Sequence, residues 1–400
     1  MQRRTFLQGA SAVTGLSLAN ASARAARSDE PVGGKVYRVG VIGSTGRGNY
    51  GHALDKAWFD CPRTEIVAVA DDDPQGLAKE SERLSVEQTF ADYHEMLANV
   101  ELDIVAICPR WVDQHRDMAV AAAERGLHVL VEKPLCRTLA EADEIVAACE
   151  KTGAKLAIGH PTRYSPKLKT VQRLIAEGKI GRVLEYRARG KEDHRGGGLD
   201  LWVLGTHIMD MIRAIGGQPQ WCFAKVSQNG KPVTRDEVYE GAEGFGALAG
   251  DAVHAMYGMP DGSTAYFSSL KDIGKASARY ALQIYGSEGI LEIKEGTMPP
   301  VKYLGDRTWS PGRSGAHWQD VSSAGIDQPE PLAGRRYEAR YLMAIEDLLA
   351  AIEQDHQPLC SVYEGRGGAE MIVAVFESHR VGGPVRLPLE NRQNPLTMLV

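Results

Sequence analysis

The sequence predicts an α/β chain. Its first half forms a doubly wound parallel sheet; its second half is an α+β domain with an open, mainly antiparallel sheet. Three observations carry this reading. Short apolar strands alternate with helical stretches from Val36 to Gly159. From about Gly178 strands follow one another, with period-two alternation visible from Tyr266 to Ser269. The 400 residues divide naturally into two domains at roughly 150 residues each. An apolar fraction of 43% excludes a disordered chain, and a net charge of −6 argues against a dedicated nucleic-acid binder. The 6 cysteines are scattered without a C-x-x-C pair, which argues against a zinc knuckle or a disulfide scaffold, and no metal site is expected.

The first residues read as an address. Arg3-Arg4-Thr5-Phe6-Leu7 precedes a weakly apolar run from Gly9 to Ala21, with no acid before Asp29. Ala19, Ala21, Ala23 and Ala25 offer A-x-A cleavage sites. Residues 1–28 therefore resemble a twin-arginine (Tat) signal peptide. The resemblance implies the Tat export machinery as a partner and a periplasmic destination. No later segment carries ~18 consecutive apolar residues, so no membrane span is expected.

The elements of the first half follow in order. Val36 to Ile42 is a strand, Gly43-Ser44-Thr45-Gly46-Arg47-Gly48 a turn, and a helical pattern runs on to Phe59. Gly43 and Gly48 take the first and third places of a dinucleotide fingerprint, whereas Thr45 stands at the second and Gly46 follows it. A helix start here favours an anion. The next strand, Glu65 to Ala70, ends in Asp71-Asp72-Asp73. Asp71 is placed to accept ribose hydroxyls, and three acids repel a 2′-phosphate, which favours NAD over NADP. Arg47 is the group that can pair with such a phosphate. Asp72 and Asp73 read as a solvated turn and helix cap before Pro74. Further strands run from Asp103 to Cys108, ending at Pro109, from Leu127 to Val131, entering Glu132-Lys133-Pro134, and from Lys155 to Gly159. Helices span Asp113 to Arg125 and Thr138 to Lys151. Asp71, Pro109 and Lys133 thus lie at carboxyl ends of strands, facing one crevice.

These motifs, with Asp92-Tyr93-x-Glu95-Met96-Leu97, resemble the Gfo/Idh/MocA oxidoreductases. Gly178-x-Ile180-Gly181-Arg182-Val183, Gly205-Thr206-His207, Ile284 to Gly289 and the closing helix from Tyr363 to Arg380 extend the likeness over nearly the whole chain after residue 28. The resemblance implies a Rossmann domain at 35–160 that binds NAD, with NADP as the alternative. It also implies a substrate and oligomerisation domain at 161–390, a carbohydrate substrate and a homo-oligomer.

The resemblance also assigns roles. Lys133, following Glu132, lies beside the nicotinamide and the reacting carbinol, where a desolvated ammonium has a lowered pKa. His207 packs beside the same ring. The family's Asp, four residues before that His, is Val203 here, so the usual acid is missing. Asp200 is the nearest substitute, either as a catalytic group or as an acid at a helix N-terminus. Asp210 matches a position that looks structural. Pro109, His115 and Arg163 match positions near the cofactor; His115 and Arg163 have structural readings as well. Asp193, His194 and Arg195, before the flexible Gly196 to Gly198, are candidates for sugar recognition or an exposed turn.

The second half continues with strands at Arg182–Arg189, Gln220–Val226, Ala252–Met259, Ser263–Ser269, Arg279–Tyr285, Ile290–Ile293 and Val301–Leu304. A long loop from Asp306 to Gly334 and helices from Arg335 to Gln354 and from Tyr363 to Arg380 close the chain. The function expected is a periplasmic NAD(P)-dependent sugar oxidoreductase that holds its cofactor tightly. Two alternatives stand beside it: a redox-neutral NAD-dependent glycosidase, favoured by the loss of the acid at Val203, and a catalytically silent sugar-binding protein.

Overall fold

Residues 34–273, 279–334 and 339–400 are described by a computed structural model. The signal-peptide expectation, at residues 1–28, lies outside them. The first half contains β1 (Tyr37–Ile42), β2 (Thr64–Ala70), α1 (Pro74–Leu84), β3 (Gln88–Phe90) and α2 (Tyr93–Asn99). It continues with β4 (Ile104–Ile107), α3 (His115–Ala123), β5 (His128–Val131), α4 (Leu139–Thr152) and β6 (Leu156–Ile158). The strands form one parallel sheet in the order β3-β2-β1-β4-β5-β6. Its strand order reverses between β1 and β4, which opens a crevice at their carboxyl ends. Continuous apolar runs such as Ile104 to Ile107 are fully buried, as a sheet covered on both faces requires. Asp73, Asp92 and Thr138 cap α1, α2 and α4 through their side chains.

The expected helix after the glycine turn is corrected. Between β1 and β2 the chain makes turns and a short 3-10 helix, Ala57–Asp60. Gly48, Asn49, Gly51 and Ala53 have φ of 96°, 52°, 64° and 70°. A right-handed helix cannot contain such residues. Gly48 lies so close to Arg110 and Trp111, and Gly51 to Cys108 and Glu132, that any side chain there would overlap them. The segment is pressed into the end of β4, so the site has no helix N-terminus at this turn.

The second half contains α5 (Pro166–Ala176), β7 (Val183–Arg189), α6 (Gly198–Val203), α7 (Gly205–Gly216), β8 (Trp221–Gln228) and β9 (Lys231–Pro232). After these come β10 (Tyr239–Gly241), β11 (Gly246–Leu248), β12 (Ala252–Gly258), β13 (Thr264–Leu270), β14 (Ala281–Gly286), β15 (Ile290–Ile293) and β16 (Val301–Leu304). Then follow α8 (Pro311–Ser314), β17 (Gln319–Asp320), α9 (Ala339–Glu353), α10 (Val362–Val381) and β18 (Val385–Arg386). The large sheet runs β17-β16-β15-β14-β7-β13-β12-β8-β18, with β9 beside β8. It is antiparallel except where β7 meets β13. α10 covers one face, and Tyr257 and Ala224 bond to its Met371 carbonyl and Ser378 hydroxyl. Phe223 and Tyr266 stand exposed on the sheet.

The chain then returns to the first sheet. The Ile158 amide donates to Cys360 at 2.9 Å, and Ala157 bridges Ser361. α9 and α10 thereby tie the two sheets together, and Tyr341 of α9 reaches the site described next.

Candidate active site

The glycine turn is built around Asp71. Its carboxylate accepts the Thr45 amide at 3.1 Å, the Thr45 hydroxyl at 2.8 Å, the Tyr50 hydroxyl at 2.7 Å and the Asp73 amide at 3.0 Å. Asp71 is buried, so it fixes the turn rather than presenting a free carboxylate to a ribose. Gly43 lies under the Tyr50 ring with no room for a side chain. Gly46, with φ of 81°, has open space above it. A 240 Å³ crevice at these strand ends is lined by Gly43, Ser44, Asp71, Asp72, Asp92 and Tyr93, among others. The Ser44 hydroxyl is buried without a partner among the described residues. Arg47 pairs with Asp113 and lies 5.1 Å from the Trp111 ring centre, so its charge is already answered within the chain. An open glycine turn, an orphaned hydroxyl and an acidic rim fit a dinucleotide at the switch point of the sheet.

Glu132-Lys133-Pro134 follows β5. Glu132 is fully buried. It accepts the His52 amide at 3.1 Å, the His52 ring at 3.0 Å, the Lys133 amide at 3.1 Å and the Tyr341 hydroxyl. Burial alone would raise its pKa, but His52, the Lys133 charge and Tyr341 hold it well below the carboxylate range. Glu132 therefore binds the site together, with both carboxylate oxygens engaged within the chain. Lys133 is buried, its peptide to Pro134 is cis, and its Nζ donates to the Val203 carbonyl at 2.8 Å. Burial lowers its pKa, against the pull of Glu132, Glu243 and Glu295. His115 is buried, with ring nitrogens 2.8 Å from the Pro134 carbonyl and 2.7 Å from the Pro109 carbonyl. It joins two strand-end loops and has no ring nitrogen left for a ligand.

His207 lies on α7, buried, beside Lys133 in electrostatic reach. Burial first, then Lys133 and His160, push its pKa well below the usual imidazole value, so it is a neutral base. His160 stands edge-on to it at 5.2 Å between ring centres and contacts the Thr206 hydroxyl at 3.1 Å. The His207 Nδ1 has no hydrogen-bond partner among the described residues, and Glu295 Oε1 is 3.7 Å away.

Four functional expectations are corrected, and for Asp200, which stands in the first turn of α6, and for Arg163 the structural readings hold. Asp200 is not aimed at His207. The helix breaks at Leu204, and the Asp200 carboxylate instead accepts the Ser269 hydroxyl at 2.5 Å and the Glu192 amide at 3.1 Å. Arg163 does not reach toward a cofactor. Its guanidinium is spent on Asp210 at 2.7 Å and Glu364 at 3.1 Å. Asp193, His194 and Arg195 do not share a pocket with Lys133. Asp193 pairs with Arg195, which lowers its pKa to about 2, and His194 and Arg195 line a 460 Å³ hollow with Glu237, Tyr239 and Lys271. Gly196, Gly197 and Gly198 are not a flexible hinge. Each lies against the backbone of Lys271, Gly250 or Ala249, where only glycine fits.

Sequence reasoning did not find Tyr280, whose hydroxyl donates to the Leu204 carbonyl at 2.9 Å, nor Glu243 and Glu295. None carries a motif, and each arrives from a strand end or hairpin distant in the chain. His160, Asp210 and Cys360 bring potential ligand atoms within 4.8 Å of one another. Arg163 already neutralises Asp210, so this cluster is a hydrogen-bond network in which Cys360 Sγ meets Asp210 at 3.5 Å.

Comparison with known proteins identifies the family and the fold. Residues 37–160 match the oxidoreductase family Gfo/Idh/MocA, NAD-binding Rossmann fold, and residues 168–292 match the Gfo/Idh/MocA C-terminal domain. The chain is similar to D-apiose dehydrogenase of Paraburkholderia graminis, 26% identical over 249 residues, which is 58% of this chain and 66% of that protein. It is also similar to myo-inositol 2-dehydrogenase of Thermotoga maritima, 25% identical over 283 residues, 68% of this chain and 80% of the relative. The chain thus spans about two thirds of the first relative's length and four fifths of the second's. Its fold matches a solved levoglucosan dehydrogenase complexed with NADH and levoglucosan, with a TM-score of 0.68, 21% identity, and coverage of 88% of this chain and 100% of that one. Two consecutive domain matches, a six-stranded parallel sheet and a strand-end Glu-Lys-Pro converge: the chain belongs to the Gfo/Idh/MocA family of NAD-binding oxidoreductases.

Proposed function

We propose that this protein oxidises a carbinol of a sugar or sugar derivative with NAD, after export to the periplasm. One observation carries the reading: Lys133 and His207, both buried bases, stand together where the glycine-turn sheet meets α7. A bound nicotinamide supplies the acceptor for hydride. The chain's own groups do the rest. Ser44, Gly46 and the Asp71-braced turn hold the dinucleotide. His207, kept neutral by burial, takes the hydroxyl proton as the carbonyl forms, and Lys133, its pKa lowered by burial, handles the charge at the same oxygen. Relatives named for apiose and myo-inositol and a neighbour solved with levoglucosan support a polyol or sugar substrate. Arg3-Arg4-Thr5-Phe6-Leu7 supports twin-arginine export of the folded protein with its cofactor aboard. Outside the cytoplasm that cofactor is recycled in place, which calls for tight retention.

The test begins with the purified mature protein and its spectrum. D-apiose, myo-inositol and levoglucosan are then added singly and in pairs with NAD+. Growth of reduced-cofactor absorbance at ~340 nm with one sugar, reversed by another, is expected. Release of an aglycone from an aryl glycoside without net reduction would replace this reading with the redox-neutral one. Failure to bind any nicotinamide would leave a silent binding protein.

A further inference from the structure

We infer that Glu295 is the positioning residue for His207, supplying from the large sheet the acid that the sequence lacks at Val203. The inference rests on the reading of His207 as a proton acceptor. Four observations carry it. His207 is 4% exposed, and its Nδ1 is buried without a hydrogen-bond partner among the described residues. A buried ring nitrogen left unpaired is costly, so such atoms mark a missing or moving partner. Glu295 Oε1 lies 3.7 Å away, beyond a hydrogen bond by a distance that a small side-chain rotation closes. Arg340 Nη2 lies 3.4 Å from the same oxygen, an ion pair that holds the carboxylate beside the ring.

The loop that delivers Glu295 is anchored on both sides. The Lys294 amide donates to the Pro300 carbonyl at 3.1 Å, and the Gly296 amide to the Thr162 hydroxyl at 2.9 Å. Gly296 has φ of 138°, a conformation that other residues rarely adopt. Thr162 is itself buried in the segment after β6. Glu295 is thus fixed relative to both sheets, as a positioning acid must be.

The charge balance gives the acid a task. The groups that bear on His207 from neighbouring elements are Lys133, His160, Arg340 and His52, and each disfavours a protonated ring. A carboxylate at Nδ1 opposes them. With the Nδ1 proton directed to Glu295, the lone pair is left on Nε2. A bound nicotinamide would accept hydride from the substrate carbon, and the O–H proton would pass to His207 Nε2 as the carbon–oxygen double bond forms. Glu295 then stabilises the imidazolium. Lys133, held by the Val203 carbonyl, stays beside the oxygen that changes charge.

The test uses the NAD-loaded mature protein with 15N-labelled histidine. Long-range proton–nitrogen spectra report the His207 tautomer and titration, with His207→Gln for assignment. Wild type is expected to show the Nδ1–H tautomer. Glu295→Ala should lose that bias, and Glu295→Gln should keep it while making the ring about tenfold harder to protonate. Unchanged signals from the other histidines show that each variant is folded. The same tautomer and the same titration in wild type and both variants would overturn the inference. Turnover of the sugars assayed above by His207→Gln at the wild-type rate would overturn the proton-acceptor reading instead, while the spectra alone decide the pairing. If both hold, Glu295→Gln lowers kcat about tenfold or more with KM nearly constant.

Discussion

The Lys133 Nζ donates to the backbone carbonyl of Val203 at 2.8 Å, joining the strand-end loop of the cofactor sheet to the end of α6. The residue whose side chain cannot serve as an acid serves through its main chain. This bond holds a buried Lys near the crevice but does not remove the cost of burying its charge.

A prediction about both activity and stability follows. Lys133→Met should lower kcat about a thousandfold, since it removes a proton-handling group. It should also raise the melting temperature near neutral pH. Burial depresses the Lys133 pKa below its usual 10.5, so the unfolded chain binds more protons between the folded value and 10.5. The wild type therefore gains stability as pH rises through that window, and the full penalty applies below it. Melting curves of both proteins should converge as the pH rises toward that upper limit. A variant that is less stable at every pH would show that the ammonium is well compensated.

Much of this was legible in the sequence. Strand ends are marked by buried apolar runs, so Asp71, Pro109 and Lys133 could be located from the pattern alone. The first crossover was not legible. Ala53 takes a left-handed conformation that its residue type does not announce, and the helical pattern there reads as helix. The catalytic reading of Asp200 fails for a related reason, while its reading as a helix N-terminal acid holds. Its spacing to His207 holds only for a continuous helix, and the helix breaks at Leu204, whose carbonyl accepts the Tyr280 hydroxyl. Glu295 had no signal, because only the folding of the large sheet brings it to α7.

Asp200 should behave as a structural acid. Its carboxylate accepts the Ser269 hydroxyl and the Glu192 amide, and burial raises its pKa. Asp200→Asn preserves an acceptor and should change kcat/KM by less than about threefold. Asp200→Ala leaves the buried amide and hydroxyl unpaired and should cost about 1–3 kcal/mol in urea unfolding. A loss of activity of about a hundredfold or more in a folded Asp200→Asn protein would restore its catalytic assignment.

Cofactor choice should depend on Asp72. Asp71 is enclosed by Thr45 and Tyr50, whereas Asp72 lines the crevice and is exposed. Arg47 is held by Asp113 and does not offer an unpaired cation to a 2′-phosphate. The wild type should therefore bind NADH more tightly than NADPH in fluorescence titrations. Asp72→Ser should shrink that preference about tenfold by removing repulsion worth about 1.4 kcal/mol. An unchanged ratio would place the ribose elsewhere.

Arg163 should prove a folding residue whose effect depends on pH. Its guanidinium holds Asp210 and Glu364, and Arg213 shares Glu364 at 3.0 Å. Burial would raise the Asp210 pKa, but Arg163 and His160 bring it below its usual 3.8. In wild type that depression stabilises the fold above the unfolded pKa and is lost as pH falls through the folded value. Arg163→Ala strands Asp210 in a buried site and should cost about 3–5 kcal/mol at neutral pH. Without its partner the Asp210 carboxyl is driven upward, so the variant protonates it and recovers stability as the solution is acidified toward about pH 5. Arg163→Lys should rescue only part, because a point charge cannot reproduce the fork on Asp210. Urea denaturation of the three proteins at neutral and mildly acidic pH decides the matter. A deficit that is the same at both, or a Lys variant equal to wild type, would show that the guanidinium pairing does not govern this part of the core.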